Sequence, residues 1–331
     1  MKFPYEDASG FRWRRMTLED ATGLAELARA SAELDGDTAV LDEAAWRQRL
    51  QDTAYAAANS ILVLDPAGQL AGAGWIQYQE EAHEVQAFLD GRVHPAWRGK
   101  GLGSRLLRAL ETLGVERLTR KADGRRRVLR ILFYDRGEDA VALFRSAGYH
   151  FQFAETELRR DLSKALPEDG LPEGMVIHAW TPENAVQFYQ TYRDAFASRG
   201  GALRSRDEWM HHFTLEGDEE FIPAESILVL AGGKPAGYVV VHHYDREDGV
   251  EGKEYWVAQL GVLPRHRRRG LAASMLGVLM RRLANRGCTT LTLTVNIDNP
   301  GARRVFERVG FRETRTMTLY RKEVDSLPAS G

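Results

Sequence analysis

Apolar and polar positions along the chain change period in a fixed order, and that order occurs twice. In FRWRRMTLEDATGLAEL (11–27) a short alternating stretch gives way to Thr and a helical pattern, and MVIHAWTPENAVQFYQTY (175–192) repeats the change. Thr17 and Thr181 suit an N-cap, where a hydroxyl accepts from a free backbone N–H, and Pro182 suits a first helical position. SILVLDPAGQLAGAGWIQY (60–78) and SILVLAGGKPAGYVVVHHY (226–244) each read as a hairpin, two β-rich runs around a Gly-containing turn. Strands are predicted at RVLRILFY (127–134) and TTLTLTVN (289–296), followed by AVALFRSAGYHF (140–151) and ARRVFERVGFRE (302–313). Gly148 and Gly310 fall where a helix ends, ahead of an aromatic residue and a last strand.

The offset between the copies drifts from 162 to 169 residues, as loop insertions and deletions in a tandem duplication produce. Each copy reads strand, one or two helices, several strands, helix, strand, helix, strand. That is an α/β (α+β) pattern with a mixed sheet. The stretch 161–175, DLSKALPEDGLPEGM, holds two prolines and two glycines and is expected to link a first domain at 1–160 to a second at 176–331. A chain of 331 residues is also longer than one typical core, so two domains are the natural expectation.

One device appears in both copies. VHPAWRGKGLG (93–103) aligns without a gap on VLPRHRRRGLA (262–272), placing Arg98 on Arg267, Gly101 on Gly270 and Gly103 on Ala272. Each follows a predicted strand and precedes an apolar helical pattern. A helix start offers unpaired backbone N–H groups and partial positive charge, and glycine lets the chain approach a ligand closely. Arg98, Lys100 and Arg105 in copy one, and Arg267, Arg268 and Arg269 in copy two, can add charge around such a site. The order strand, Pro, basic loop, helix predicts a diphosphate on a helix start. The spacing fits neither a P-loop nor a dinucleotide fingerprint.

Composition narrows the chemistry. The formal net charge is −2, so the arginine clusters are local features and nucleic acid is not the expected ligand. The single cysteine, Cys288, excludes an internal disulfide and a Cys-based zinc site; no metal is expected. No apolar run reaches the length of a membrane span, and MKFPYEDASGFRWRR lacks the apolar centre of a secretory signal. A cytoplasmic protein is therefore expected. Two fused copies can mimic a homodimer internally, which makes a monomer a reasonable expectation.

The paired motifs resemble the GNAT superfamily of acyl-CoA N-acyltransferases, in the tandem form similar to the mycothiol synthases. The residues that carry the resemblance are Arg98-Gly99-Lys100-Gly101-Leu102-Gly103, Arg267-Arg268-Arg269-Gly270-Leu271-Ala272, and in copy two Asn296, Asn299 and Phe306 through Gly310. It implies two GNAT domains, each a mixed, mostly antiparallel twisted sheet flanked by helices. It implies acetyl-CoA as co-substrate, with pantetheine along Gly91 to Val93 and along Leu260, Gly261 and Val262. The diphosphate would then lie on the amides of Arg98 to Ser104 and of Arg267 to Ser274, Ala273 included. It also implies direct attack of a primary amine on the thioester, with both substrates bound together.

The attacking amine must lose a proton. Glu254 is the candidate base, because strict alternation puts it on one sheet face with Trp256, Ala258, Leu260 and Val262. A salt-bridged strand-end Glu is the competing reading, and His242 and His243 are alternatives. Phe144 and Phe306 stand where the resemblance implies a tyrosine acid, with Tyr255 and Tyr320 as substitutes. Copy two keeps the asparagines and Glu254, whereas in copy one Asp90 is expected to point to the other face; copy two is the expected catalytic copy. The acceptor, a small-molecule amine, is expected against RDAFASRGGALRSRDEWMHHFTLEGDEEF (193–221). A non-catalytic acyl-CoA-binding protein is the alternative.

Overall fold

The computed structural model describes residues 3, 5–35, 40–51, 57–81, 83–120, 124–134, 137–167, 170–198, 203–214, 219–244 and 253–324. Contacts divide the chain into unit 1, Met1–Ala154 with Met317–Gly331, and unit 2, Glu155–Thr316.

In unit 1 the chain runs β1 (Tyr5–Glu6), β2 (Arg12–Arg14), α1 (Ala21–Asp35), α2 (Glu43–Gln51), β3 (Ser60–Leu64), β4 (Leu70–Glu80), β5 (Glu84–Val93), α3 (Leu102–Leu118), β6 (Arg126–Tyr134) and α4 (Gly137–Ser146). The chain passes into unit 2 within β7 (His150–Asp161). Unit 2 continues with β8 (Met175–Ala179), α5 (Ala185–Phe196), α6 (Arg206–Thr214), β9 (Glu219–Phe221), β10 (Ile227–Ala231), β11 (Lys234–Tyr244), β12 (Lys253–Val262), α7 (Leu271–Asn285), β13 (Cys288–Asn296) and α8 (Pro300–Arg308). It returns to unit 1 within β14 (Arg312–Glu323).

Both units are mixed sheets covered on two faces. In unit 1 the order is β1-β2-β3-β4-β5-β6-β14, antiparallel except for parallel β5–β6. Alternation along the strands sorts the two cores. Ile61, Val63, Ala87, Leu89 and Ile131 pack against Leu102, Leu106 and Leu110 of α3, while Leu62, Ala73 and Trp75 pack against α1 and Trp46 of α2. In unit 2 the order is β8-β10-β11-β12-β13-β7, with β9 on β11 and parallel β12–β13. Val239, Val241, Leu291 and Leu293 face Met275, Leu279 and Leu283 of α7, and Tyr238 and Val240 face Phe188 and Trp209 of α5 and α6.

The unit boundaries differ from the expected domains. The repeat assigns β7 to the first copy and β14 to the second, yet their outer halves bond the other way. Glu155–Asp161 pair antiparallel with β13, and Met317–Glu323 pair antiparallel with β6. Backbone hydrogen bonds decide membership, so a cut at 160/161 separates β13 from its neighbour. The helix starts differ by a turn as well. Thr17 closes a capping box on the short 3-10 turn Leu18–Asp20, which precedes α1. Thr181 is not the N-cap of α5; its N–H donates to Asn184 Oδ1 at 2.8 Å, and Asn184 is the N-cap.

Candidate acyl-CoA site

Among the described residues, each unit has one parallel strand pair, and it comes apart. In unit 2 the β12–β13 register runs to Val257↔Leu293 and ends, while Gln259 to Val262 stay paired to β11. In unit 1 the β5–β6 register ends at Phe88↔Arg130, and Leu89 to Val93 stay paired to β4. Beyond those points one edge of β5 and of β12 leaves the parallel ladder, and an extended ligand can pair with such an edge. Val93, Leu260, Gly261 and Val262 lie on those edges.

The strands end in loops of one conformation. After the 3-10 turns Pro95–Trp97 and Pro264–His266, Arg98 and Arg267 are extended, at ψ 153° and 160°. Gly99 and Arg268 then take φ +69° and +59°, and Gly101 and Gly270 take +79° and +80°. Gly101 and Gly270 are the N-caps of α3 and α7 and supply no side-chain cap. The first backbone bonds of these helices are Arg105 N–H to Gly101 O and Ser274 N–H to Gly270 O. The amides of Leu102, Gly103 and Ser104, and of Leu271, Ala272 and Ala273, therefore precede the helical ladder. A Cβ added at Gly99, Gly101 or Gly270 would meet nothing within 4 Å. The space beside these glycines is open. Arg268 is the one non-glycine residue at positive φ among the described residues, a conformation tolerated where function demands it.

The cations are placed less simply than the sequence implies. Arg98 Nε donates to Val93 O at 3.1 Å and Arg267 Nε to Val262 O at 3.0 Å, so both side chains clamp the loop to its own strand. Arg267 Nη2 also donates to Ala195 O at 2.7 Å. Arg105 is paired with Asp7 at 2.7 Å, and Lys100 donates to Ala96 O at 2.8 Å over the Trp97 ring. Burial, with Arg265 and Arg269 nearby, holds His266 below the usual imidazole range. Gly261 is small because α5 and Tyr238 press on it: an added Cβ would lie 3.1 Å from Ala195 and overlap the Tyr238 ring.

Across the opening, Asn296 Oδ1 accepts from Asp298 N–H at 2.8 Å, and Asn299 caps α8 by accepting from Ala302 N–H at 3.2 Å. Both asparagines build the turn after β13. Phe306 packs on Phe311 in the α7-side core, and Phe144 packs among Phe133, Tyr149 and Tyr320. Tyr320 belongs to unit 1, on the stretch of β14 bonded to β6. Tyr255 is buried in the α7-side core, which raises its hydroxyl.

The expected face of Glu254 is corrected by a bulge. Val241 pairs with Val257 and Val240 with Gln259, leaving Ala258 unopposed. The extra residue flips the alternation. Glu254 and Trp256 share a face with Gln259, while Leu260 and Val262 join Tyr255 and Val257 on the α7 side. Glu254 is buried, accepts from Thr292 Oγ1 of β13, and lies 3.8 Å from Arg159 Nε. It stands where the two strands are still joined, below the opening. His242 is buried against Phe221, and His243 packs on Tyr255. The matching pair in unit 1 has no such bulge: the β4–β5 register is unbroken from Gly72↔Val93 to Glu80↔Val85. Counting from the parallel partners, Gln86 matches Glu254 and Asp90 matches Gln259, so Asp90 shares the Gln86 face rather than opposing it.

The comparisons agree with this geometry. Residues 185–311 match the acetyltransferase (GNAT) family model, and residues 57–151 match an acetyltransferase (GNAT) domain model. The mycothiol acetyltransferase of Streptomyces bingchenggensis is 30% identical over 315 residues, covering 92% of this chain and 93% of that protein. The chain belongs to the GNAT acetyltransferase family. The mycothiol acetyltransferase of Streptomyces coelicolor is 28% identical over 314 residues, covering 93% of each chain. In fold, this tandem GNAT chain resembles a GCN5-related N-acetyltransferase from Sphaerobacter thermophilus (TM-score 0.73, 21% identity, 96% and 97% covered). It also resembles a tandem GNAT protein from the clavulanic acid biosynthesis pathway (TM-score 0.61, 16% identity, 96% and 100% covered). Among the described residues, no helix is long and apolar enough to cross a membrane.

Proposed function

We propose that unit 2 transfers the acetyl group of acetyl-CoA to the primary amine of a small-molecule acceptor, by direct attack with both substrates bound. The observation that carries this reading is the bulge at Ala258, on the freed edge of β12 and absent from β5. A bulge takes backbone groups out of the ladder and re-aims them. Here it is proposed to present an N–H donor at the edge where a thioester oxygen gains charge in the transition state. The amides of Leu271 to Ala273 hold the diphosphate, and the edge of Leu260 to Val262 holds the pantetheine. Both substrates fixed in one cleft supply much of the rate.

The amine's proton leaves to solvent in the open gap, because the β12 carboxylate Glu254 is bonded to Thr292 below it. The thiolate leaves without help from position 306; a thiol of pKa about 8.5 is a tolerable leaving group. The acceptor is proposed to be of the kind used by the mycothiol acetyltransferases, bound on the α5 and α6 side. Unit 1 has the loop and gap without the bulge, and is proposed to bind acyl-CoA without turnover.

The test is Gly270→Glu and Gly101→Glu, each assayed by CoA release with acetyl-CoA and deacetylated mycothiol. Gly270→Glu is expected to abolish release and Gly101→Glu to spare it. Loss with Gly101→Glu alone, in a folded protein, moves catalysis to unit 1.

A further inference from the structure

Gln259 is the first residue after the bulge, and the β12–β13 register has already ended before it. Its Oε1 accepts from Trp209 Nε1 at 2.9 Å and from Tyr238 Oη at 2.5 Å. An indole N–H only donates, so the atom facing Trp209 is the oxygen, and the amide cannot be flipped. Two donors use both lone pairs of that oxygen. Trp209 and Tyr238 are almost wholly buried in the core beneath α5 and α6, so they hold the amide in one orientation. Nε2 points away from them, and among the described residues it has no partner. A half-buried amide with a saturated oxygen and two uncommitted N–H groups is a preset donor.

We propose that Gln259 is a positioning residue of the acetyl-transfer site, its Nε2 donating to a substrate oxygen in the gap. The oxygen is either the acyl carbonyl of the donor or a carbonyl or hydroxyl oxygen of the acceptor. The proposal rests on unit 2 being the acyl-transfer site. Unit 1 carries Asp90 at this position, a group that only accepts when ionised, so the same contact is not available there.

Gln259→Glu keeps the shape and the two aromatic donors while turning the exposed atom into an anionic acceptor. Trp209→Phe keeps the packing and frees the amide to rotate. Both are compared with the wild type by calorimetry with acetyl-CoA and with CoA, and by acetyl transfer to deacetylated mycothiol. If the oxygen is the acyl carbonyl, Gln259→Glu lowers acetyl-CoA affinity about tenfold or more and leaves CoA affinity unchanged. If it belongs to the acceptor, KM for deacetylated mycothiol rises by about that factor and both CoA affinities stay. Trp209→Phe shifts the same parameter by less. Wild-type values in both folded variants overturn the proposal while the acetyl-transfer reading stands. Wild-type protein with no acetyl-CoA binding that Gly270→Glu removes overturns both.

Discussion

At the scale of single residues, position on a strand decides what a carboxylate can do. Glu254 looks like a base when the strand is read as strict alternation, because that reading aligns it with the residues beside the opening. The bulge breaks the alignment, and the carboxylate bonds to Thr292 across the last joined stretch of β12 and β13. That bond spans the two strands below the gap. Glu254→Gln still accepts from Thr292. It is expected to keep kcat/KM within about tenfold of wild type, with the acidic limb of the pH profile in place. A proton-accepting Glu254 would instead lose that limb, and a pH series on the variant distinguishes the two. The bulge was not legible in the chain: Tyr255, Trp256, Val257 and Ala258 are all apolar, so Leu260 and Val262 continue the alternation of Trp256 and Ala258 as readily as they break that of Tyr255 and Val257. Gln259 was not legible, since its partner Trp209 is fifty positions away along the chain.

At the scale of elements, the hairpins, the loop-to-helix devices and the Gly-ended helices were all readable, because local period and glycine placement determine them. Strand membership was not, since nothing local says which neighbour a last strand joins. On β7, Glu157 accepts from Thr314 Oγ1 at 2.8 Å, Arg159 Nε at 2.9 Å and Arg315 Nε at 2.9 Å, tying β7 to β14 within unit 2. Burial alone would raise its carboxyl, but these donors outweigh it and hold Glu157 below the usual range. The unfolded chain then binds the proton first as pH falls. The stability this group contributes is present above about pH 4.3 and is lost as pH falls through the depressed value. Glu155, two residues earlier, is shifted the other way by burial, with Thr294 only softening the rise. Its contribution weakens as pH climbs from the ordinary value to the raised one, so the two partly offset each other. Glu157→Gln is expected to cost about 1–3 kcal/mol at neutral pH and to flatten the acid side of a melting-temperature series.

At the scale of the whole molecule, the duplication is not two closed copies placed end to end, because each unit is completed by backbone from the other half of the sequence. Met317 to Glu323 bond β6 from Tyr134 to Val128, and Val324 N–H donates to Arg127 O. Tyr320 and Leu319 are buried there, Tyr320 in the same core as Leu129 and Ile131. A chain ending at Phe311 therefore strips unit 1 of an edge strand although every residue removed lies in the second repeat. Amide exchange read by mass spectrometry is expected to show Arg126–Tyr134 losing protection, while α7 and β12, whose partners are all retained, change much less. The opposite pattern, with β6 protected and β13 exposed, is what two self-contained repeats would give, and it would refute the crossed pairing. Because the freed edge on β6 is apolar and unpaired, the shortened chain is also expected to self-associate, which light scattering on the same samples measures.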